Sequence, residues 1–287
     1  MSTLASATGN PHHEVSRRRL WRRLEVLIGV AVIVLWSALA LLASRMAPYG
    51  YDEQRVDESL QPPGASHLFG TDDLGRDVLS RVLYGGRVTL LIGLGVVVVG
   101  GAVGTAVGAV SAYAGGLADE AIMRATEVIM AFPSIILAMA IAVAMGPGIW
   151  HAAMAMALVW WPGYARLARA EVLGVKPLGY VEAAVAIGQR PLAMLWRTIT
   201  PNILPRVLVL ATADLGNAVV TAAGLSFLGL GAIPPTPEWG QMVSAGREMP
   251  TAWWMATFPG LAIFTTVLAF NFLGDALRDH LDPRHRA

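Results

Sequence analysis

The chain has no cysteine. That excludes disulfides, thiolate metal centres and a cysteine nucleophile. Charge is scarce too: 14% of the 287 residues are Asp, Glu, Lys or Arg, against about 25% in an average soluble domain. Lysine occurs once, as Lys176, followed by Pro177. No G-x-x-x-x-G-K-[ST] segment is present, so nothing here cradles ATP phosphates in the P-loop manner. The formal net charge of +1 excludes a strongly basic nucleic-acid binder. What abounds is apolar. Hydrophobic residues make up 55% of the chain and fall in runs of about 20 residues, the length that crosses a bilayer core. So few charges cannot cover a soluble globule of this size. The composition is that of an integral membrane protein.

Six apolar stretches stand out, at 26–44, 88–114, 125–145, 149–165, 207–232 and 255–274. Each is long enough, or nearly so, for a helical span. Runs such as 94–99 and 135–144 do not alternate, which argues against a β-barrel. Arginine sets the orientation. Arg17, Arg18, Arg19, Arg22 and Arg23 precede the first span. Arg166, Arg169, Lys176, Arg190, Arg197 and Arg206 mark the segment after the fourth, and Arg278, Arg284 and Arg286 the tail. Acids crowd the segment between spans one and two: Asp52, Glu53, Asp57, Glu58, Asp72, Asp73 and Asp77. The positive-inside rule then predicts cytoplasmic termini and a cytoplasmic 166–206 segment. The expected organisation is a cytoplasmic tail over 1–25, a first transmembrane helix over 26–46 and an extracytoplasmic loop over 47–86. A five-helix core follows over 87–277, containing a cytoplasmic loop over 171–206, and then a tail over 278–287. The sequence Ser16-Arg17-Arg18-Arg19-Leu20 faintly resembles a twin-arginine signal. An apolar run of about 19 residues exceeds the usual signal h-region of about 7–15, and predicts a retained anchor.

The long loop has its own pattern. Residues 180–187 are good short-helix material, Gly188 suits a left-handed stop and Pro191 suits the first turn of a second helix. That second helix is predicted over 192–199, ended by Pro201. Leu192, Leu195 and Trp196 offer a face for a partner's groove, or pack on the protein's own bundle. In span two, Gly100, Gly104 and Gly108 form small-xxx-small steps, which let helix backbones approach closely. They serve either internal packing or a subunit interface or pore.

Glu182-Ala183-Ala184, three residues, then Gly188 and later Pro201, resembles the EAA loop of bacterial ABC import permeases. Thr198 and Thr200 stand where that family has apolar residues. Three further stretches resemble the C-type subunit of dipeptide/oligopeptide permeases, the DppC/OppC family: HLFGTDDLGRDVLSRVLYGGRVTL (67–90), GLSFLGLGAIPPTPEWG (224–240) and FPGLAIFTTVLAFNFLGDALRDHLDPR (258–284). The resemblance implies an all-α membrane fold, the six-helix type I importer permease with cytoplasmic coupling helices, in a bacterial inner membrane. Glu182, Ala183, Ala184, Gly188 and Pro201 would then form the dock for cytosolic ATPases. Other implied partners are a second, B-type permease chain, an extracytoplasmic solute-binding protein and a peptide substrate. ATP and Mg would bind the ATPases, with no catalytic residue, cofactor or metal in this chain. Nickel and other small solutes share this permease type.

Single residues offer further readings. Asp214 lies inside span five with Asn217 nearby, and an acid there faces a cavity or a partner. It is either a pore-facing acid or one end of a buried helix–helix hydrogen bond. His67, Asp72, Asp73 and Asp77 have the residue types of a metal site, but Gly70-Thr71-Asp72 also reads as a turn and a helix N-terminus. Val78, Leu79, Val82 and Leu83 predict a helix lying at the outer interface. Tyr49, Tyr51, Trp239, Trp253 and Trp254 read as interfacial anchors. Gly224-Leu225-Ser226-Phe227 resembles the core of an intramembrane serine protease, with His151 as the candidate base. A secondary transporter is the other rival, and would need ion ligands at interrupted helices.

Overall fold

The computed structural model describes residues 11–281, with side chains from Leu24 onward. The arginine side chains of 17–23, and Arg284 and Arg286, lie outside the described residues. Among the described residues there is no β-strand. The helices in chain order are α1 (Pro11–Leu41), α2 (Ala43–Met46), α3 (Val78–Ala114), α4 (Gly116–Met130), α5 (Ser134–Met145) and α6 (Ile149–Val175). They continue as α7 (Gly179–Ala186), α8 (Pro191–Ala193), α9 (Thr200–Phe227), α10 (Trp239–Glu248) and α11 (Trp254–Leu281).

The spine is α3. Its 37 residues make a rod of about 55 Å at 1.5 Å per residue, longer than a hydrocarbon core of about 30 Å. Asp77 caps it, its carboxylate accepting from the Ser80 N–H and hydroxyl, both at 2.7 Å. The separate interfacial helix expected over 78–83 does not exist. Val78, Val82 and Leu83 are the buried first turns of α3 itself. Gly85 and Gly86 serve packing: a Cβ on either would stand 3.1 Å from the indole of Trp239.

Small residues join α3 to α6. A Cβ on Gly104 would fall 2.2 Å from the Trp161 carbonyl oxygen, and one on Gly108 2.0 Å from that of Ala165. A Cβ on Gly100 would stand 3.1 Å from the Cβ of Trp160. The small-xxx-small steps are therefore an internal seam where two main chains touch. Along it, residue numbers rise together on both helices, so α3 and α6 run parallel. The chain between them must travel back along the bundle, and α4 with α5 does so in two pieces bent by 88°. The expected straight span over 125–145 is thus broken at Ala131-Phe132-Pro133. Pro133 lacks a backbone N–H and disfavours helical geometry at Phe132.

The expected stop at Pro201 is also absent. Helix α8 passes through a π-helical segment, Met194–Ile199, straight into α9. Pro201 sits in the first turn of α9, where a missing N–H is tolerated. Side chains take up freed carbonyls there: Thr200 Oγ1 donates to Leu195 O at 2.8 Å and Asn202 Nδ2 to Thr198 O at 2.6 Å.

Three apolar clusters stack along α3. One end holds Val78, Val82, Trp239 and Trp254, the middle holds Ile92, Val96, Met156 and Leu225, and the far end holds Ala109, Val172, Leu195 and Ile203. Helix α1 packs antiparallel on α11: Gly29 lies against Ala269 and Phe272, and Trp36 Nε1 donates to Thr265 at 3.0 Å. The start of α1, the end of α11 and the 171–206 loop therefore share one end of the bundle. Among the described residues four helical spans are long and apolar enough to cross a membrane, and the bent α4–α5 pair passes the same test when its two pieces are taken together. Helix α6, 27 residues long, runs parallel to α3.

Candidate functional site

The 171–206 loop forms a hairpin fixed to the bundle. Lys176 Nζ donates to the last carbonyls of α3, those of Ala112 and Tyr113, both at 3.3 Å. Arg169 grips Asp119 through two bonds of 2.6 and 2.7 Å, and Ser111 donates to the same carboxylate. Helix α7 ends in a Schellman motif. Gly188 has φ +75°, its N–H donates to Val185 O at 2.9 Å, and Gln189 N–H reaches Ala184 O at 3.1 Å. Val181, Ala184, Met194, Leu195 and Ile199 face inward. Glu182, Ala183, Gly188 and Pro201 face outward, and so do Ile187, Leu192 and Trp196, with Ile187 84% and Leu192 67% exposed. The expected partner face is therefore divided. Leu195, which alternation along a helix did not separate from Leu192, belongs to the core, as does Ala184.

Asp214 and Asn217 lie one turn apart on α9 and line a cavity of about 630 Å³. Val159, Trp160 and Gly163 of α6 form the facing wall, and Phe132 and Ser134 enter from either side of the α4–α5 break. Asp214 is the one charged residue among those lining it. Its carboxylate lies beside the Trp160 indole, the Asn217 amide and the Tyr164 hydroxyl. That hydroxyl is fully buried and has no hydrogen bond of normal geometry. A second cavity, of about 490 Å³, adjoins the first: Met130 and Gly163 line both, and Arg166, Leu167 and Arg169 continue it toward the loop end.

Glu53, Glu58, Asp72, Asp73 and Asp77, before α3, are paired with Arg55, His67, Arg76 and Arg81. His67 is 2% exposed, with Nδ1 2.9 Å from Asp77 and Nε2 3.1 Å from Glu58. Asp72 accepts from Arg76 Nε at 2.7 Å and from the N–H groups of Leu74 and Arg76. Among the described residues no group of three or more His, Asp or Glu is placed to hold a metal. Two expected anchors are core residues instead. Trp239 is fully buried, its Nε1 donating to Val82 O at 2.9 Å, and buried Trp254 donates to Thr71 O at 2.9 Å. Sequence reasoning missed Glu238. It is buried, caps α10 through Gly240 and Gln241 N–H at 3.0 and 2.9 Å, and accepts from Thr89 at 3.1 Å. Its signal was an acid just before an apolar-periodic run. For the protease rival, the His151 ring bonds the Gly146 carbonyl at 3.1 Å, and the Ser226 hydroxyl is packed beneath Gly231.

Comparison with known proteins bears on this geometry. The model of a family described as binding-protein-dependent transport system inner membrane component matches residues 104–287. The dipeptide transport system permease protein DppC of Escherichia coli K12 is 46% identical over 265 residues, covering 90% of this chain and 88% of its own. The glutathione transport system permease protein GsiD of Escherichia coli UTI89 is 42% identical over 277 residues, covering 96% and 91%. Among solved structures, a chain of the MetNI methionine ABC transporter in an inward-facing conformation is similar in fold. The TM-score is 0.57 at 20% identity, over 69% of this chain and 95% of that one.

Proposed function

This chain belongs to the binding-protein-dependent transport system inner membrane component family, as a permease of the dipeptide/oligopeptide C-type, and from that premise we propose that it forms half of an ATP-driven import path for small peptides. The path is the cavity between α9, α6 and the α4–α5 break, with Asp214 and Asn217 on its wall. The other half is a second, B-type permease chain. Cytosolic ATPases, which bind ATP and Mg, dock on the 171–206 hairpin, and an extracytoplasmic solute-binding protein delivers the peptide. The membrane is the bacterial inner membrane, with both termini cytoplasmic. Relatives named for dipeptide and for glutathione transport favour a peptide over nickel.

The observation that carries this reading is the hairpin. Ile187, Leu192 and Trp196 stand exposed on a support held by Lys176 and the Arg169–Asp119 pair. Apolar side chains displayed on a rigid, charge-anchored support suit a partner groove. Glu182 in the first turn of α7 adds a carboxylate for a charged hydrogen bond from the ATPase. The test is reconstitution of the whole complex in vesicles. Labelled dialanine should enter only with ATP and binding protein present. Entry of nickel but no peptide would overturn the peptide assignment.

A further inference from the structure

Two charges along the path have no matching partner. Asp214 is half-buried on the wall of the larger cavity, and no Lys or Arg lines that cavity. A carboxylate at such depth is costly unless a cation or a cavity meets it. Beside it stand the Trp160 indole, its N–H edge toward the carboxylate, and the Asn217 amide, whose oxygen accepts from N–H groups. Carboxylate and amide oxygen together suit an ammonium group.

The adjoining cavity has the opposite character. Arg169 is neutralised by Asp119. Arg166 contacts the Met130 sulfur at 3.5 Å, and among the described residues no carboxylate pairs with it. A guanidinium of this kind suits a carboxylate held through two parallel bonds.

The spacing fits one molecule with both ends charged. Trp160, Gly163 and Arg166 follow one another along a single face of α6, and six residues of helix rise about 9 Å. An extended chain covers about 3.3–3.6 Å per residue, so a dipeptide or tripeptide has the matching length. Gly163 lies between the two poles and lines both cavities. A Cβ there would meet nothing within 4 Å, so the passage is open.

Resting on the peptide reading above, we infer that this half of the path holds a peptide by both ends, its ammonium at Asp214 and its carboxylate at Arg166. The peptide then travels carboxylate first toward the hairpin end. The cysteine-free chain allows a direct test in the reconstituted complex. Asn217→Cys and Leu167→Cys each introduce one thiol, the first near Asp214 and the second near Arg166. Cys-Ala and Ala-Cys are then offered under mild oxidation, and mixed disulfides are quantified by mass spectrometry. Both dipeptides carry free termini, so they differ only in where the thiol lies. Cys-Ala should dominate at position 217 and Ala-Cys at position 167. The expected bias is about tenfold, the low end of what a hydrogen bond to a charged group contributes. Asp214→Asn should erase that bias and Asp214→Glu keep it. Uptake without any bias, or a bias that survives Asp214→Asn, overturns the inference and leaves peptide import standing. Vesicles that take up neither dipeptide overturn the peptide reading itself, and the inference with it.

Discussion

A glycine can be required for space or for backbone angle, and this chain holds both kinds. Gly108 is required for space, since a Cβ there would lie 2.0 Å from the Ala165 carbonyl oxygen. Gly108→Val must push two main chains apart, and overpacking of this kind costs about 1–3 kcal/mol or more. The expected result is a clear drop in the melting temperature of the purified complex. Gly260→Ala, where a Cβ meets nothing within 4 Å, should leave that temperature near wild type. Gly188 is required for angle. Its φ is +75° and the surrounding space is open, so Gly188→Val strains only the turn, by about 1–2 kcal/mol. The spans should still insert, while co-purification of the ATPases and solute-stimulated ATP hydrolysis fall. Wild-type levels of both would remove the hairpin from the coupling mechanism. Gly188 was legible because a helix-former run, a glycine and a following proline are local signals. Gly108 was legible as a small residue, but its partner was not, since no local pattern names the helix across a seam.

Along one element, burial separates residues that the sequence grouped together. Leu195 is 3% exposed and Leu192 67%, three residues apart on the same hairpin arm. Leu195→Ala should cost about 2–5 kcal/mol, as buried leucine truncations do. It should show as faster proteolysis of the 171–206 loop. Leu192→Ala should leave proteolysis unchanged and weaken ATPase co-purification. The reverse pattern would mean that the hairpin packs the other way round. The sequence placed this hairpin and its glycine stop but not the passage from α8 into α9. A proline after eight helix-forming residues reads as an ending. Here the π-helical turn and the Thr200 and Asn202 side chains satisfy the freed carbonyls, and the turn's buried Met194, Leu195 and Ile199 hold the arm in line. The bent α4–α5 pair was hidden for a related reason: apolar composition has no direction, so a stretch of the right length reads as straight. Asp214 was legible as an anomaly of charge. The cavity it lines was not, because its walls come from three separate parts of the chain.

At the scale of the whole molecule, the antiparallel packing of α11 on both α1 and α9 puts the start of α1, the end of α11 and the hairpin together. Cysteine labelling checks the side. A cysteine replacing Pro62 should react in intact cells with a membrane-impermeant reagent, and one replacing Ile187 only after permeabilisation. The opposite pattern would invert the orientation. The purified chain alone should show no magnesium-dependent ATP hydrolysis, since it has no phosphate loop, and activity free of ATPase subunits would contradict that. The glycine seam between α3 and α6 also limits how the importer moves. Where backbone meets backbone there is no side chain to swing aside and no lubricating layer for sliding. The two rods are one strut, and they tilt together or not at all. Any gate that opens and shuts the path must then be made by what leans on the strut: the elbow at Phe132 and the long arm of α9. Spin labels on α3 and α6 should hold one distance through the transport cycle, while labels across the elbow change theirs.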